Sequence, residues 1–346
     1  MSISSTQFVI LGVGAFFLSG YLTSPIRIFA IKFGVMDLPN MKRKTQKEPI
    51  PYLGGVAIAL SVVSVTYMAI LSSDNTEITF SLVTYTLIPA LILGLMGLVD
   101  DIKSLPALPR LVVQTLVAIV VAILMLRHDL IGTPIGNQFL DTIVNVVWIV
   151  VVCNSINFFD NLDGGAAGIV AVSTLGICII AAQQGQELVT ALSVVTCGAT
   201  IGFLMWNKSP AKIYMGDAGA LFLGFLVATL TLRLDPGISP RINSIAILPV
   251  LIAVPILDTC IAVFSRIQRG ISPFTGGKDH LSHRLARKGF SRRNSAYSLW
   301  GIQASFVAIA LIIYLFDRNI GTTGVFVALI YWLGLFIWFW RIDSED

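Results

Sequence analysis

Eleven apolar runs, each near the length that a helix needs to cross a bilayer, restrict this chain to one kind of architecture. The hydrocarbon core takes about 20 mainly apolar helical residues, with a range of roughly 17–25. No water is present there to satisfy backbone groups, so such runs adopt helices. They lie near 7–26, 53–71, 80–99, 111–126, 139–153, 166–182, 188–206, 219–232, 244–264, 297–316 and 321–340. The runs at 139–153 and 219–232 are short, which gives a count of 10–11. The predicted fold is therefore all-α: a polytopic transmembrane helical bundle forming a single membrane domain over residues 1–346. Composition agrees, since only 12% of residues are charged against about 25% in soluble domains.

Charge predicts the orientation. With the N-terminus outside and the spans alternating, 19 of the 23 Lys and Arg residues fall inside; Arg127, Arg233, Arg241 and Arg318 fall outside. The positive-inside rule makes the first side cytoplasmic. The net charge of +4 thus comes from short loops beside the bilayer, and binding to a nucleic acid polymer is excluded. The first run lacks a basic n-region and a small-residue cleavage site, so it reads as an uncleaved first span. Cys153, Cys178, Cys197 and Cys260 lie in or at the ends of apolar runs without a CxxC pair, as packing residues do.

Four polar segments fall on the inside face. The first holds Asp100 and Asp101 at the end of the third span, followed by Pro109-Arg110. Adjacent carboxylates at an interface repel each other and need a cation or strong donor, unless they form only a solvated helix end. In the second, Asn154, Asn157, Asp160 and Asp163 recur every three residues and line one face for gripping a polar ligand if the turn stays helical. Asp163 is also placed to cap the following span.

The third segment runs from Asn207 through Lys208 and Lys212 to Gly216-Asp217-Ala218-Gly219. Its glycines let backbone approach a ligand, and the next helix offers N–H groups to phosphate oxygens. Asp217 is a candidate ligand for magnesium, which takes one or two protein carboxylates plus substrate phosphates; manganese is the substitute, and a plain Asp-Gly turn is the alternative. The fourth segment holds His280, His283 and Arg284, side chains that bind or protonate phosphate oxygens. Flanking Arg287, Lys288, Arg292 and Arg293 suit anionic headgroups.

A secondary transporter or lipid flippase is the other class open at this point. Transporters concentrate polar groups near the midplane, and here Asp258 alone stands well inside a span, the ninth. An intramembrane acid is a functional candidate, with pairing to a basic side chain as the plain explanation.

Taken together the segments resemble the polyprenyl-phosphate N-acetylhexosamine-1-phosphate transferases, which include the WecA, TagO and MraY enzymes and dolichyl-phosphate relatives. The resemblance rests on Asp37-Leu38-Pro39-Asn40 with Pro51-Tyr52-Leu53-Gly54-Gly55, the Asp100-Asp101 pair, Asn157 to Gly164, Met215 to Gly219, and His280 to Arg284. It implies transfer of a sugar-1-phosphate from a UDP-sugar to a polyprenyl phosphate in the bacterial plasma membrane, with release of UMP and with magnesium as cofactor. It further implies that Asp217 and Asp100 serve the metal, that Asp100 and Asp101 serve the lipid phosphate, and that Asn154, Asn157, Asp160, Asp163 and Asn207 hold the nucleotide. Lys212 and Arg284 join the substrate-binding set, and His280 and His283 would contact the donor's pyrophosphate or sugar.

The chain departs from its relatives at Lys44-Thr45-Gln46-Lys47, which lacks a His, and at Ser282, where a middle His is absent. The His280 loop is closer to the WecA and TagO group, which favours UDP-N-acetylglucosamine over a UDP-muramoyl-pentapeptide. The acceptor phosphate has a second pKa near ~6 and needs little help from a base. Direct in-line attack is the expected mechanism, with an aspartyl-phosphate at Asp100 or Asp101 as the alternative. A homodimer is compatible with the sequence.

Overall fold

The computed structural model describes residues 4–38, 48–72, 76–128, 130–131, 135–273 and 277–342. Lys44 to Lys47, Pro39 and Asn40 lie outside the described residues. The long helices are α1 (Ser5–Lys32), α2 (Gly54–Leu71), α3 (Thr76–Lys103), α4 (Ala107–Arg127), α5 (Gln138–Phe159), α6 (Gly165–Gln183), α7 (Glu187–Asn207) and α8 (Gly216–Arg233). They are followed by α9 (Arg241–Val250), α10 (Ala253–Gln268), the short α11 (Leu281–Arg287), α12 (Arg292–Leu315) and α13 (Asp317–Trp340). Between α1 and α2, strands β1 (Met36–Asp37) and β2 (Ile50–Pro51) pair antiparallel, Met36 opposite Pro51 and Asp37 opposite Ile50.

Among the described residues ten helices are long and apolar enough to cross a membrane, and α9 with α10 make an eleventh if they count as one bent span. The chain is a multi-pass membrane protein built as a polytopic helical bundle, as its apolar runs predict. The short run at 139–153 lengthens to a helix of 22 residues because α5 continues through Asn154 and Asn157.

α8 is the axis of the bundle, with 83% of its spanning window buried against 11% for the peripheral α13. Helices in lipid gain little from apolar contact alone, so close packing through small residues is what gathers them. A Cβ on Gly97 of α3 would stand 2.3 Å from the Asp217 carbonyl oxygen, and one on Gly55 of α2 would stand 2.1 Å from the Gly219 nitrogen. Both helices therefore touch α8 backbone to backbone. The β2–α2 turn is stitched to the same place, since Tyr214 N donates to Pro51 O, and Gly54 N and Gly55 N donate to Tyr214 O and Met215 O, each at 2.9 Å.

The ninth apolar run, expected as one continuous span, is broken. α9 and α10 meet at 71°, with Pro249 inside one and Pro255 in the first turn of the other. A break inside the bilayer leaves backbone groups without partners, which is costly unless protein supplies them. Gln303 of α12 does so: its Oε1 accepts from Val254 N at 3.0 Å and its Nε2 donates to Leu251 O at 2.8 Å.

Candidate active site

The last turn of α3, the first turn of α4, the end of α5 and the start of α8 meet at one end of the bundle. Asp100 accepts from Leu105 N and forms a short ion pair with Arg110. The same Arg110 nitrogen, Nη1, donates to Asp217 Oδ2 at 2.8 Å, and Asp217 Oδ1 accepts from Asn157 Nδ2 at 2.7 Å. Four side chains from four helices thus meet, two of them carboxylates. The sequence offers Arg110 only as a basic residue after a Pro; its place between Asp100 and Asp217 depends on α4 folding back against α3 and α5.

Asp101 has another task. Its Oδ1 accepts from Asp217 N at 2.8 Å and its Oδ2 from Ala218 N at 3.1 Å. The expectation that the α8 N-terminus offers these N–H groups to a phosphate is corrected: a carboxylate, favoured there by the helix dipole, already takes them. Asp101 therefore fastens α3 to the turn that carries Asp217.

The row of four polar side chains also divides. α5 ends at Phe159, Asp160 being its C-cap with ψ 44°, so the three-residue spacing no longer stacks beyond Asn157. Asn154 turns toward α4 and donates to Gln114 Oε1 at 2.7 Å. Asp163 accepts from Arg292 Nη2 at 2.6 Å and from Ala211 N at 3.3 Å. The cap of α6 is Gly164 at φ +70°, without a side-chain bond, so Asp163 does not cap it. Arg292, expected at lipid headgroups, points inward instead. Asn207 is buried and clamps backbone, accepting from Gly164 N at 3.0 Å and donating to Ile213 O at 2.9 Å. Its role in the structure is to hold the loop, with both ends of its amide spent on backbone.

Asp160 is half-buried among acids, and burial first, then Asp217, Asp101 and Asp163, holds its carboxyl well above the usual carboxylate range. Lys212 is exposed, its ammonium 5.7 Å from the centroid of the Trp206 ring, and is free to reach a ligand at the rim. Tyr52 and Tyr214, with ring centroids 6.2 Å apart, stand beside the same mouth. The hydroxyls of both are held protonated, chiefly by burial and further by nearby acids, Asp37 foremost for Tyr52 and Asp163 for Tyr214.

The histidine loop is anchored to the membrane part of the protein. Asp258 Oδ2 lies 2.7 Å from His280 Nδ1, and Asp258 Oδ1 accepts from Leu281 N at 2.7 Å. Arg266 Nη2 stands 3.2 Å from His280 Nε2, while its Nε donates to Asp279 Oδ2 at 3.0 Å and Arg269 pairs with the other Asp279 oxygen. Asp258 is thus a paired acid and not an isolated one. Arg284, expected at the substrate, is 1% exposed and engaged elsewhere. It donates to Asp279 O, Phe339 O and Ser265 Oγ, tying α11 to α10 and to the end of α13. Ser282 bonds Asn161, which brings the loop over the end of α5. Of the two histidines His283 is the more accessible. Burial first, then the neighbouring His280 and the Arg287 charge, lowers its pKa to about 4, so it is neutral near pH 7.

A cavity of about 1300 Å³ is at the opposite end of α5 and α8, lined by Val147, Trp148, Arg233 and Ile242. It is mainly apolar and separate from the carboxylates.

The model of glycosyl transferase family 4 matches residues 83–235, a stretch that contains Asp100, Arg110, Asn157 and Asp217. A probable undecaprenyl-phosphate N-acetylglucosaminyl 1-phosphate transferase of Bacillus subtilis (strain 168) is 33% identical over 297 residues, covering 84% of this chain and 81% of that protein. The chain belongs to glycosyl transferase family 4. Among other relatives of this family 4 protein, a decaprenyl-phosphate N-acetylglucosaminephosphotransferase of Mycolicibacterium smegmatis is 29% identical over 85% of this chain and 79% of its own length. An undecaprenyl-phosphate alpha-N-acetylglucosaminyl 1-phosphate transferase of Salmonella typhi is 29% identical over 84% and 81% respectively.

Proposed function

We propose that this family 4 protein transfers N-acetylglucosamine-1-phosphate from UDP-N-acetylglucosamine to a polyprenyl phosphate such as undecaprenyl phosphate, releasing UMP at the cytoplasmic face. The observation that carries the reading is the Asp100–Arg110–Asp217–Asn157 cluster at one end of a membrane bundle. There a lipid phosphate held in the bilayer and a soluble nucleotide-sugar can meet. The names of the relatives support the substrates.

The donor set fits magnesium. Asp100 and Asp217 bring two carboxylates to one guanidinium, and magnesium takes one or two protein carboxylates plus substrate phosphates. Asp217 and Asp100 would hold it. When bound, the ion neutralises charge on the donor's pyrophosphate.

The chain's own residues supply the rest. Asp101 sets the backbone that carries Asp217, and Asn157 orients the Asp217 carboxylate. Arg110, with exposed Lys212 at the rim, offers positive charge to phosphate oxygens. The lipid phosphate attacks the sugar-proximal phosphorus in line, and the bond to the UMP oxygen breaks. Both oxygens of Asp101 are held by backbone N–H groups and Asp100 is held by Arg110 and Leu105, which favours direct attack over an aspartyl-phosphate.

Purified protein given radiolabelled undecaprenyl phosphate and a panel of UDP-sugars tests this. UMP release and a labelled lipid pyrophosphate are expected with UDP-N-acetylglucosamine, and only when the acceptor is present. Product from the UDP-muramoyl-pentapeptide alone, or UMP release without acceptor, would overturn the donor or the mechanism respectively.

A further inference from the structure

We propose that Arg110 and the divalent cation compete for one position between Asp100 and Asp217, so that cation binding and release of the guanidinium are a single exchange. The inference rests on the metal-dependent transfer proposed above and concerns how that site is kept and loaded.

One nitrogen, Arg110 Nη1, bridges the Oδ2 atoms of Asp100 and Asp217. Without a counter-charge two such carboxylates would repel; the guanidinium supplies one. A magnesium ion draws carboxylate oxygens to 2.0–2.1 Å, whereas Arg110 Nη1 stands 2.8 Å from Asp217 Oδ2. An ion bonded to the same two oxygens leaves no room for a nitrogen between them. One of the two cations must leave.

The surroundings identify which groups stay. Asp217 is held from two sides, its carboxylate by Asn157 and its backbone nitrogen by Asp101. Asp100 is held by Leu105 N across the α3–α4 turn. Arg110 is 26% exposed, in the first turn of α4, and among these groups has the longest side chain and the most rotatable bonds. Displacement carries its guanidinium toward the mouth, where donor phosphate oxygens arrive and where a planar five-donor group suits them. Arg110 thereby stabilises the site while the cation is absent and becomes a substrate ligand when it is present. Neutralising Arg110 should accordingly strengthen cation binding and weaken turnover, a divergence that a merely structural residue would not produce.

Mn2+ titrated into the full-length protein in detergent, without substrates, and followed by electron paramagnetic resonance of the free ion, reads the exchange. Arg110→Gln should bind Mn2+ about tenfold or more tightly than the unaltered protein, because two charge-assisted hydrogen bonds no longer have to be broken. Arg110→Lys should stay near the native affinity, and transfer should fall in the Gln variant despite its tighter binding. Equal or weaker Mn2+ binding in Arg110→Gln, with the native protein binding normally, overturns the exchange while leaving the metal reading intact. Absence of Mn2+ binding in both proteins overturns the exchange, and the metal reading, which counts substrate phosphates among the ligands, is then decided by the same titration with UDP present. Should Arg110→Gln not fold, the native protein answers: labelling of Arg110 by a guanidine-specific dicarbonyl, read by mass spectrometry, should rise on saturation with Mg2+. Unchanged or reduced labelling is the opposing result.

Discussion

Asp258, in the second turn of α10, lies 2.7 Å from His280 at the head of α11, with no part of either carboxylate or ring more than a tenth exposed. Arg266 can only donate and the Asp258 carboxylate can only accept, so the bonds require His280 to carry its proton on Nδ1. The ring is thereby held as a strut between the membrane part and the loop.

Asp258→Asn tests that strut. An amide can accept from only one of His280 Nδ1 and Leu281 N, so one buried donor is left facing an NH2 group, at a cost of about 1–3 kcal/mol. We expect a clearly lower Tm and a fall in kcat/KM of roughly 10–100-fold, as for other orienting partners. A variant with native Tm and activity would show that the loop is held in another way.

Asp101→Asn and Asp217→Asn should separate. The first loses one of two helix-capping bonds and should cost about 1–2 kcal/mol of stability, with activity falling in step with displacement of α8. The second keeps its size but loses charge at the reacting phosphates, and should lower turnover by roughly 10²–10³-fold with little change in Tm. Near-normal turnover of Asp217→Asn at saturating magnesium would remove its metal role.

Gly97→Ala is expected to be severe for so small a change. The added Cβ would meet the Asp217 carbonyl oxygen at 2.3 Å, backbone that cannot rotate away, and overpacking of this kind costs about 1–3 kcal/mol or more. Thermal unfolding and UMP release should both decline. A neutral outcome would mean that α3 and α8 can part without moving the carboxylates.

The pKa of His283 is lowered to about 4, below an unfolded value of about 6.5. Between those values the unfolded chain binds more protons, so this residue's contribution is fully present above about pH 6.5 and is lost as pH falls toward 4. His283→Gln should therefore flatten the acid decline of stability in that window. It should leave the acid limb of activity near pH 6 in place, because that limb belongs to the acceptor's second ionisation at roughly 6. Single-turnover rates in both proteins distinguish the two, and disappearance of the limb in the variant would assign it to the imidazole.

Cysteines introduced at Lys288 and Glu187, read with an impermeant thiol reagent, should label from opposite faces, Lys288 from the cytoplasm. The asymmetric distribution of Lys and Arg is the reason. Labelling of both from one face would overturn the orientation.

Run length and hydrophobicity are local properties, and they were enough to set the all-helical bundle, the number of spans and the acids worth examining. The same local reading put Asp100, Asp217 and the histidine loop on one face, and the tertiary contacts gather them at one end. What each polar group does was not local. Arg110 finds Asp217 across 107 positions and Arg284 finds Phe339 across 55; no spacing rule connects such pairs. The regular row from Asn154 to Asp163 failed because α5 stops at Phe159, and the ninth run broke where prolines removed backbone donors and Gln303, distant in sequence, filled the gap. In a low-dielectric interior a polar side chain takes whichever partner folding brings within reach, since leaving it unpaired costs more than any intrinsic preference. Residue type therefore marked out candidates, while packing against α8 decided that Asp101 would cap a helix, Asn207 would clamp a loop, and Asp100 and Asp217 would face each other across a guanidinium.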